Sequence, residues 1–168
     1  MMSNVVAPLD KRLSFNEVPD IYDEIRPSYP SALYDVLFRM LPPHPRILEV
    51  GPGTGQATKD LLANGASVHA VEIGPATAAK LRSNLPTDEL KISVADFEHL
   101  PLSERVDAVF SATAYHWISP RSQTDRPAEL LEPGGLIAVV DLIQVASHSD
   151  RGFFDAAQQI AAAQQELH

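Results

Sequence analysis

Five short apolar segments are spread over the middle of the chain, and each is bounded by glycine, proline or polar residues. Their length and their content of Val and Ile are typical of β-strands buried in a sheet. They cover residues 47–50, 67–73, 91–95, 106–111 and 136–143. Helical patterns separate them: one ends near residue 63, one covers 75–85, and one opens near Pro127. Strands that alternate with helices predict an α/β fold, with a parallel sheet and helices on both faces.

A helical pattern also precedes the first strand, over residues 31–40. Ser31 is a suitable N-cap for this helix. Apolar residues recur on one of its faces, namely Leu33, Val36, Leu37, Met40 and Leu41. We therefore divide the chain into a helical N-terminal segment over 1–45, a core over 46–143 and a helical tail rich in Ala and Gln over 144–168.

A glycine-rich turn, Gly51-Pro52-Gly53-Thr54-Gly55, stands where the first strand meets the following helix. Glycines let the backbone turn sharply and let a ligand approach the main chain. The first turn of the helix offers unpaired N–H groups to that ligand. Glu72 ends the second strand, 21 residues after Gly51. A carboxylate at that place can accept hydrogen bonds from both hydroxyls of a ribose, although a solvated acid at a strand end is the plainer alternative.

Two kinds of ligand share this geometry: dinucleotides and S-adenosylmethionine (SAM). The dinucleotide fingerprint is G-x-G-x-x-G, in which the third glycine allows close packing of helix and strand. Here Gln56 occupies the third glycine position, and the glycines follow the order G-x-G-x-G. The spacing therefore favours SAM over a dinucleotide.

Further motifs follow in order and at normal spacing between residues 15 and 140. Residues 47–58 resemble the first motif of SAM-dependent methyltransferases with a Rossmann-like fold, in the broad group related to ubiquinone-biosynthesis methyltransferases (methyltransferase type 11). The other similar segments are Val71-Glu72-Ile73, Ala95-Asp96-Phe97, 106–112, Leu131-Glu132-Pro133-Gly134-Gly135-Leu136 and 22–30. The resemblance implies a parallel sheet in the order 3-2-1-4-5, SAM as cofactor with S-adenosylhomocysteine (SAH) as its product, and methyl transfer to a small-molecule acceptor.

The resemblance also implies which residues contact the cofactor. Those near its methionine part are Glu49, Gly51, Gly53, Gly55, Ser111 and Ala112. Those near its ribose and adenine are Glu72, Ile73, Asp96 and Phe97. In this assignment Glu72 holds the ribose and Asp96 accepts a hydrogen bond from the adenine amino group. The alternatives are that Asp96 caps a turn after the third strand, and that Ile73 and Phe97 belong to an ordinary core.

The substrate side of the site is less defined by the sequence. His116 and Trp117 follow the fourth strand, where a substrate normally meets the sulfonium. An acceptor hydroxyl would need a base, and His116 could serve; alternatively, the Tyr115–Trp117 segment forms an aromatic wall. Tyr22, Arg26 and Tyr29 could form a lid in which Arg26 meets a carboxylate, with packing and surface roles as the alternatives.

Composition narrows the class of partner. The net charge of −9, from 22 acidic and 13 basic residues, argues against a nucleic-acid substrate. The absence of cysteine excludes disulfides and thiolate sites, and the histidines are too scattered to suggest a metal site. No apolar run approaches the ~20 residues of a membrane span. The N-terminus lacks a basic-then-apolar signal pattern, so the sequence predicts a cytoplasmic protein.

Two features depart from the family pattern. The family's sheet usually ends in an antiparallel hairpin beside strand five, and no such pattern follows residue 143. The apolar edge over 136–140 then needs cover, so we expect a fragment of a longer protein; the alternatives are an edge covered by the tail helix or by the second subunit of a homodimer. Pro127 predicts a late helix start that leaves 121–126 as a loop.

Two other functions are the alternatives to methyl transfer. The first is a truncated module that binds SAM or a partner without turnover. The second, which the glycine spacing disfavours, is an NAD-dependent oxidoreductase.

Overall fold

The computed structural model of the protein describes residues 28–101 and 104–142. Its helices are α1 (Ser31–Arg39), α2 (Thr58–Ala63), α3 (Pro75–Asn84) and α4 (Ser122–Leu130), with a short 3₁₀ turn at Tyr115–Trp117. Its strands are β1 (Arg46–Val50), β2 (Ser67–Glu72), β3 (Leu90–Val94), β4 (Val106–Ala112) and β5 (Leu131–Val140). Helices and strands alternate as the sequence predicts.

The five strands form one parallel sheet in the order β3-β2-β1-β4-β5. This confirms the predicted Rossmann-like order. The chain builds outward from β1 to β3, and then returns to place β4 on the other side of β1. The strand order therefore reverses between β1 and β4, and ligands of such sheets bind at the carboxyl ends of the strands near that point.

Apolar residues on both faces of the sheet form the core. Neighbouring side chains of a strand point to opposite faces, so Ile47 joins one cluster and Leu48 the other. The first cluster includes Tyr34 and Leu37 of α1, and the second includes Leu130 of α4. Because both faces are covered, β1 is buried from its second residue onward.

Helix α1 has the predicted position and buries part of the predicted face, with Leu37 in the core and Leu33 and Leu41 packed against it. Val36 is 51% exposed and Met40 is 68% exposed, so the expected apolar face is wrong at these two positions. The core also takes in Tyr34, which the predicted face did not include and which is 2% exposed. Ser31 is also not the N-cap: Pro30 occupies that position, and no side chain caps the helix.

The loop predicted over 121–126 is wrong, because α4 begins at Ser122 and contains Pro127. Proline has no N–H, so it leaves the carbonyl four residues earlier without its usual helical donor. That carbonyl belongs to Gln123, and the Tyr115 hydroxyl donates a hydrogen bond to it. A side chain from outside the helix therefore allows the proline to lie inside it.

Strand β5 also begins earlier than predicted, at Leu131 instead of residue 136. Val106 pairs with Leu131 and Ala108 pairs with Leu136, so Pro133-Gly134-Gly135 lies in a bulge within the strand. Gly134 has a φ of +85° there, a value that favours glycine. The turn residues interrupt the pairing without ending it.

Some predicted segments lie outside the described residues. They are residues 1–27 of the N-terminal segment, which contain Tyr22 and Arg26, and the tail over 144–168. In the part of the chain that is described, β5 pairs with β4 on one side and stands at the sheet edge, with Ile137 45% and Val139 51% exposed. Among these described residues, no helix has the length and apolar character of a membrane span.

Candidate functional site

A cavity of about 350 Å³ opens at the carboxyl ends of the strands, where the strand order reverses. Such a volume is within the usual range for small-molecule sites. The residues that line it are Val50, Gly51, Gly53, Val71, Glu72, Ile73, Thr77, Ala95, Asp96, Phe97, Glu98, Ala112, Thr113, Ala114, His116, Trp117, Ile118, Asp141 and Leu142. The cavity therefore collects residues from the ends of all five strands.

The glycine turn after β1 forms the floor of this cavity. Gly51 and Gly53 line it, whereas Gly55 is buried behind it against α3. Gly51 has a φ of +66°, and a Cβ there would lie 2.5 Å from the Cβ of Ala114. Any side chain at Gly51 would collide with the turn after β4. The two turns can close around the cavity only because this position is glycine.

Glu72, at the end of β2, lines the cavity and is 7% exposed. Its Oε2 accepts a hydrogen bond from Gly53 N–H at 3.2 Å, and its Oε1 accepts one from Gly74 N–H at 2.9 Å. Burial raises the pKa of this carboxyl group, and the N–H donors act against that rise. The carboxylate is thus fixed beside the glycine turn, in the place where a ribose would meet it.

Glu49 does not line the cavity. It is buried within β1 at 1% exposure and accepts a hydrogen bond from the Thr58 hydroxyl at 2.6 Å. Burial raises its pKa to about 7, and the nearby charge of Glu72 adds to that rise. Glu49 therefore lies buried and bonded to the first residue of α2, outside the cavity lining.

The predicted adenine-side residues Ile73, Asp96 and Phe97 all line the cavity. Asp96 also caps a turn, because its Oδ1 accepts a hydrogen bond from Glu98 N–H at 3.0 Å. Phe97 also belongs to the core at 4% exposure. Asp96 therefore both caps a turn and lines the cavity, and Phe97 both belongs to the core and lines the cavity.

At the end of β4 the predicted pair separates. Ala112 lines the cavity, but Ser111 is buried, and its hydroxyl donates to the Val50 carbonyl at 2.8 Å. Ser111 thus ties the end of β4 to the end of β1. The next residue, Thr113, lines the cavity with a φ of +57°, which is unusual for a β-branched residue.

His116 and Trp117 form an exposed rim of the cavity, with ring centroids 4.8 Å apart. Tyr29 does not reach the cavity. It is buried at 8% exposure, and its hydroxyl lies 3.3 Å from the hydroxyl of Thr113. Of the three predicted lid residues, Tyr29 is thus a core residue that contacts the cavity wall, and Tyr22 and Arg26 lie outside the described residues.

The family comparison decides the assignment. The model of the methyltransferase domain family matches residues 48–139, which is more than half of the chain. The chain belongs to this methyltransferase family. Both the predicted family of SAM-dependent enzymes and its SAM cofactor are thereby confirmed.

Individual methyltransferases show how far the likeness extends. An uncharacterized methyltransferase of Mycobacterium tuberculosis is 38% identical over 133 residues, which cover 78% of this chain and 53% of that protein. The CcbJ methyltransferase of Streptomyces caelestis has a TM-score of 0.60 at 27% identity, over 76% of this chain and 57% of that one. SAM-bound CalS10, an amino pentose methyltransferase from Micromonospora echinaspora, has a TM-score of 0.62 at 25% identity, over 73% and 55%. The chain thus spans about half the length of the curated relatives it matches first.

Sequence reasoning missed several residues of the methyltransferase cavity. Thr77 of α3 lines it at 3% exposure, and Glu98 lines it while accepting hydrogen bonds from the backbone and hydroxyl of Ser119. Asp141 and Leu142 reach it from beyond β5. Glu98 follows a predicted strand, and Thr77 lies in the first turn of a predicted helix. Asp141 and Leu142 lie inside the fifth strand predicted over 136–143, which ends at Val140 in the structure. No motif marks these residue types.

Proposed function

We propose that this domain binds SAM in the cavity and directs its methyl group to a small-molecule acceptor at the rim formed by His116 and Trp117. The observation that carries the proposal is the placement of Glu72. Its buried carboxylate ends β2, lines the cavity and contacts the glycine turn through Gly53. A ribose bound there would lie between the Glu72 carboxylate and the glycine turn.

The other lining residues support positions for the adenine and the methionine parts of the cofactor. Ile73, Asp96 and Phe97 would take the adenine, and Asp96 offers a carboxylate to its amino group. Gly51 and Ala112 would adjoin the methionine part. The missing Cβ of Gly51 keeps open the space beside Ala114, so the backbone can approach a ligand closely.

Bound SAM supplies a methyl group that is activated by the adjoining sulfonium. The chain then has to align the acceptor with that methyl group and exclude water. Val71, Phe97 and Ile118 give the inner cavity apolar walls. Trp117, 40% exposed, extends this wall to the mouth, where an acceptor would enter.

We further propose that His116 takes the proton when the acceptor is a hydroxyl group. Its place on the rim, next to Trp117, supports this role. An amine acceptor could lose its proton to water instead, and His116 would then act only as part of the aromatic rim. The acceptor thus decides whether the histidine is chemically required.

Two observations support a small acceptor over a nucleic acid. The net charge of −9 opposes binding to a phosphate backbone. The structural relative CalS10 is described as an amino pentose methyltransferase, and the likeness to it extends over 73% of this chain.

Cytoplasmic location and pairing of two copies along β5 stay predictions of the sequence.

A transfer assay tests the proposal. The full chain is incubated with SAM labelled on its methyl group and with panels of small amines, alcohols and carboxylic acids, alongside an RNA. We expect label on one small-molecule class, its loss in Glu72→Gln, and its retention in Glu89→Gln, which removes an exposed acid far from the cavity. Label on the RNA only would contradict the acceptor class. SAM binding without any transfer would favour the module without turnover.

A further inference from the structure

Arg126 of α4 lies outside the cavity lining, yet it contacts the segment that forms the adenine side of the cavity. Its Nε donates to the Phe97 carbonyl at 3.4 Å, and its Nη2 donates to the Leu100 carbonyl. Its guanidinium carbon stands 5.8 Å from the centroid of the Phe97 ring. One side chain thus holds both ends of the 97–100 segment and covers the ring between α4 and the cavity.

The 97–100 segment needs such support. It follows β3, which pairs only with β2 in the described sheet, so strand pairing on the other side does not hold it. Its internal bonds are those of one turn, from Glu98 N–H to Asp96 Oδ1 and from His99 N–H to the Asp96 carbonyl. Those bonds fix the turn itself, whereas its position relative to the rest of the cavity depends on Arg126 together with Glu98, which accepts hydrogen bonds from the backbone and hydroxyl of Ser119.

The guanidinium group suits this position because its donors form a planar fork that can reach two carbonyls while its face covers an aromatic ring. The Arg126 side chain is 19% exposed, so water competes only partly for these contacts. The remaining nitrogen donates to Glu129 at 2.7 Å on the same helix, which orients the group. A lysine at this position could not make the same set of contacts.

Helix α4 is in turn fixed to the opposite wall of the cavity. The Gln123 side chain donates to the carbonyls of Tyr115 and Ile118, and the Tyr115 hydroxyl donates back to the Gln123 carbonyl. The segment Tyr115–Ile118 carries the rim residues His116 and Trp117. Arg126 therefore links the adenine side of the cavity to its rim through a single helix.

We propose that Arg126 is a positioning residue that sets the affinity and base selectivity of the adenine site through the 97–100 segment. The inference rests on the proposed function, because it takes the bound nucleoside to be the adenosine of SAM. Asp96 precedes the braced segment and shares its turn with Glu98. A shift of that turn would move the carboxylate that distinguishes an amino group at purine C6.

The test measures calorimetric binding of SAH and of its analogue without the C6 amino group to the full chain. For the wild type we expect the analogue to bind ~10-fold more weakly, as the loss of one charge-assisted hydrogen bond implies. In Arg126→Gln we expect SAH to bind ~10-fold more weakly and the two ligands to differ by only about twofold. A residue that merely stabilises the fold would leave the ratio of the two affinities unchanged.

Arg121→Gln is the matched control. It removes the same charge from the N-cap position of the same helix, but the Arg121 side chain is 91% exposed and pairs with Asp125 instead of the cavity wall. We expect its SAH affinity and its selectivity to equal those of the wild type. Circular dichroism and thermal unfolding check that each variant is folded at the temperature of titration.

The outcomes separate the two proposals. If the wild type does not bind SAH, the proposed function fails and this inference fails with it. If the wild type binds and a folded Arg126→Gln keeps both affinity and selectivity, only the role of Arg126 is overturned. Should the glutamine variant unfold, Arg126→Lys decides: we expect reduced selectivity, and wild-type selectivity in the folded lysine variant would overturn the inference.

Discussion

At the scale of single residues, two buried carboxyl groups stand at or near the ends of adjacent strands, and one of them, Glu72, lines the cavity. Glu72 is solvated by backbone N–H groups of the turns that it contacts. Glu49 has the Thr58 hydroxyl as its hydrogen-bond donor. Burial raises the pKa of both groups, and the effect is large enough at Glu49 to bring its pKa to about 7. Glu49 therefore makes folding depend on pH.

The direction of that dependence follows from the raised pKa of Glu49. The folded chain keeps the proton to about pH 7, whereas the ordinary value is 4.5, so the folded state binds more protons across this window. Its contribution to the free energy of unfolding is therefore full below pH 4.5 and is lost as pH rises to about 7. Glutamine at this position stays neutral and can still accept the Thr58 hydrogen bond.

We expect Glu49→Gln to gain stability relative to the wild type between pH 5 and pH 8, by on the order of 2 kcal/mol. Urea unfolding at each pH measures this difference. Glu89→Gln, at an exposed position after α3, should follow the wild type over the same range. Parallel curves for Glu49→Gln and the wild type would show that the buried acid does not titrate in this window.

The sequence predicted some of the residues in and around the cavity and missed others. Glu72 and the glycine turn were predictable because a strand end and a fixed spacing define them locally. Glu98 and Arg126 were not, because their partners Ser119 and Leu100 lie 21 and 26 residues away in the chain. A hydrogen bond across that separation leaves no periodic signal in the sequence.

At the scale of elements, strands were predicted more accurately than helix faces and helix ends. Buried parallel strands are apolar throughout, so β1 to β4 stand within about one residue of their predicted bounds. Helix α1 has the expected extent, but its orientation depends on how Tyr34 packs against the sheet. The start of α4 was wrong because the donor that compensates for Pro127 comes from Tyr115, outside the helix.

A double-mutant cycle tests that compensation. Tyr115→Phe should cost about 1–2 kcal/mol of unfolding free energy, because it removes the donor to the Gln123 carbonyl. In the Pro127→Ala background the same change should cost about 1 kcal/mol less, since the new backbone N–H can reach that carbonyl. Chemical denaturation of the four proteins gives the coupling energy. Equal costs in both backgrounds would contradict the role given to Tyr115.

At the scale of the whole molecule, the parallel strand order places the cavity at one end of the sheet. All five strands are parallel, so their carboxyl ends meet on the same side. Because the strand order reverses between β1 and β4, the turns that follow these two strands diverge and leave the cavity between them. The general place of the site was therefore predictable from the alternation of strands and helices. Its closed walls were not, because they depend on fits such as that between Gly51 and Ala114.

The opposite ends of three strands carry a cluster of charged residues. Arg46 at the start of β1 pairs with Asp107 of β4 at 3.3 Å and with Glu132 of β5 at 3.1 Å. Asp107 also accepts a hydrogen bond from the Arg46 backbone at 2.8 Å. This cluster ties three strands together where the β5 bulge interrupts regular pairing. This cluster therefore lies at the ends of the strands opposite to the cavity.

The most direct measurement for the central claim is calorimetric titration of the full chain with SAM and SAH, with NAD as the competing ligand. We predict saturable binding of SAM and SAH and none of NAD. Binding should weaken ~10-fold or more in Glu72→Gln, which loses a buried charged acceptor for the ribose, and stay unchanged in Glu89→Gln. Binding of NAD without SAH, or SAH binding that Glu72→Gln leaves unaffected, would contradict the account of the cavity as a SAM site built on Glu72.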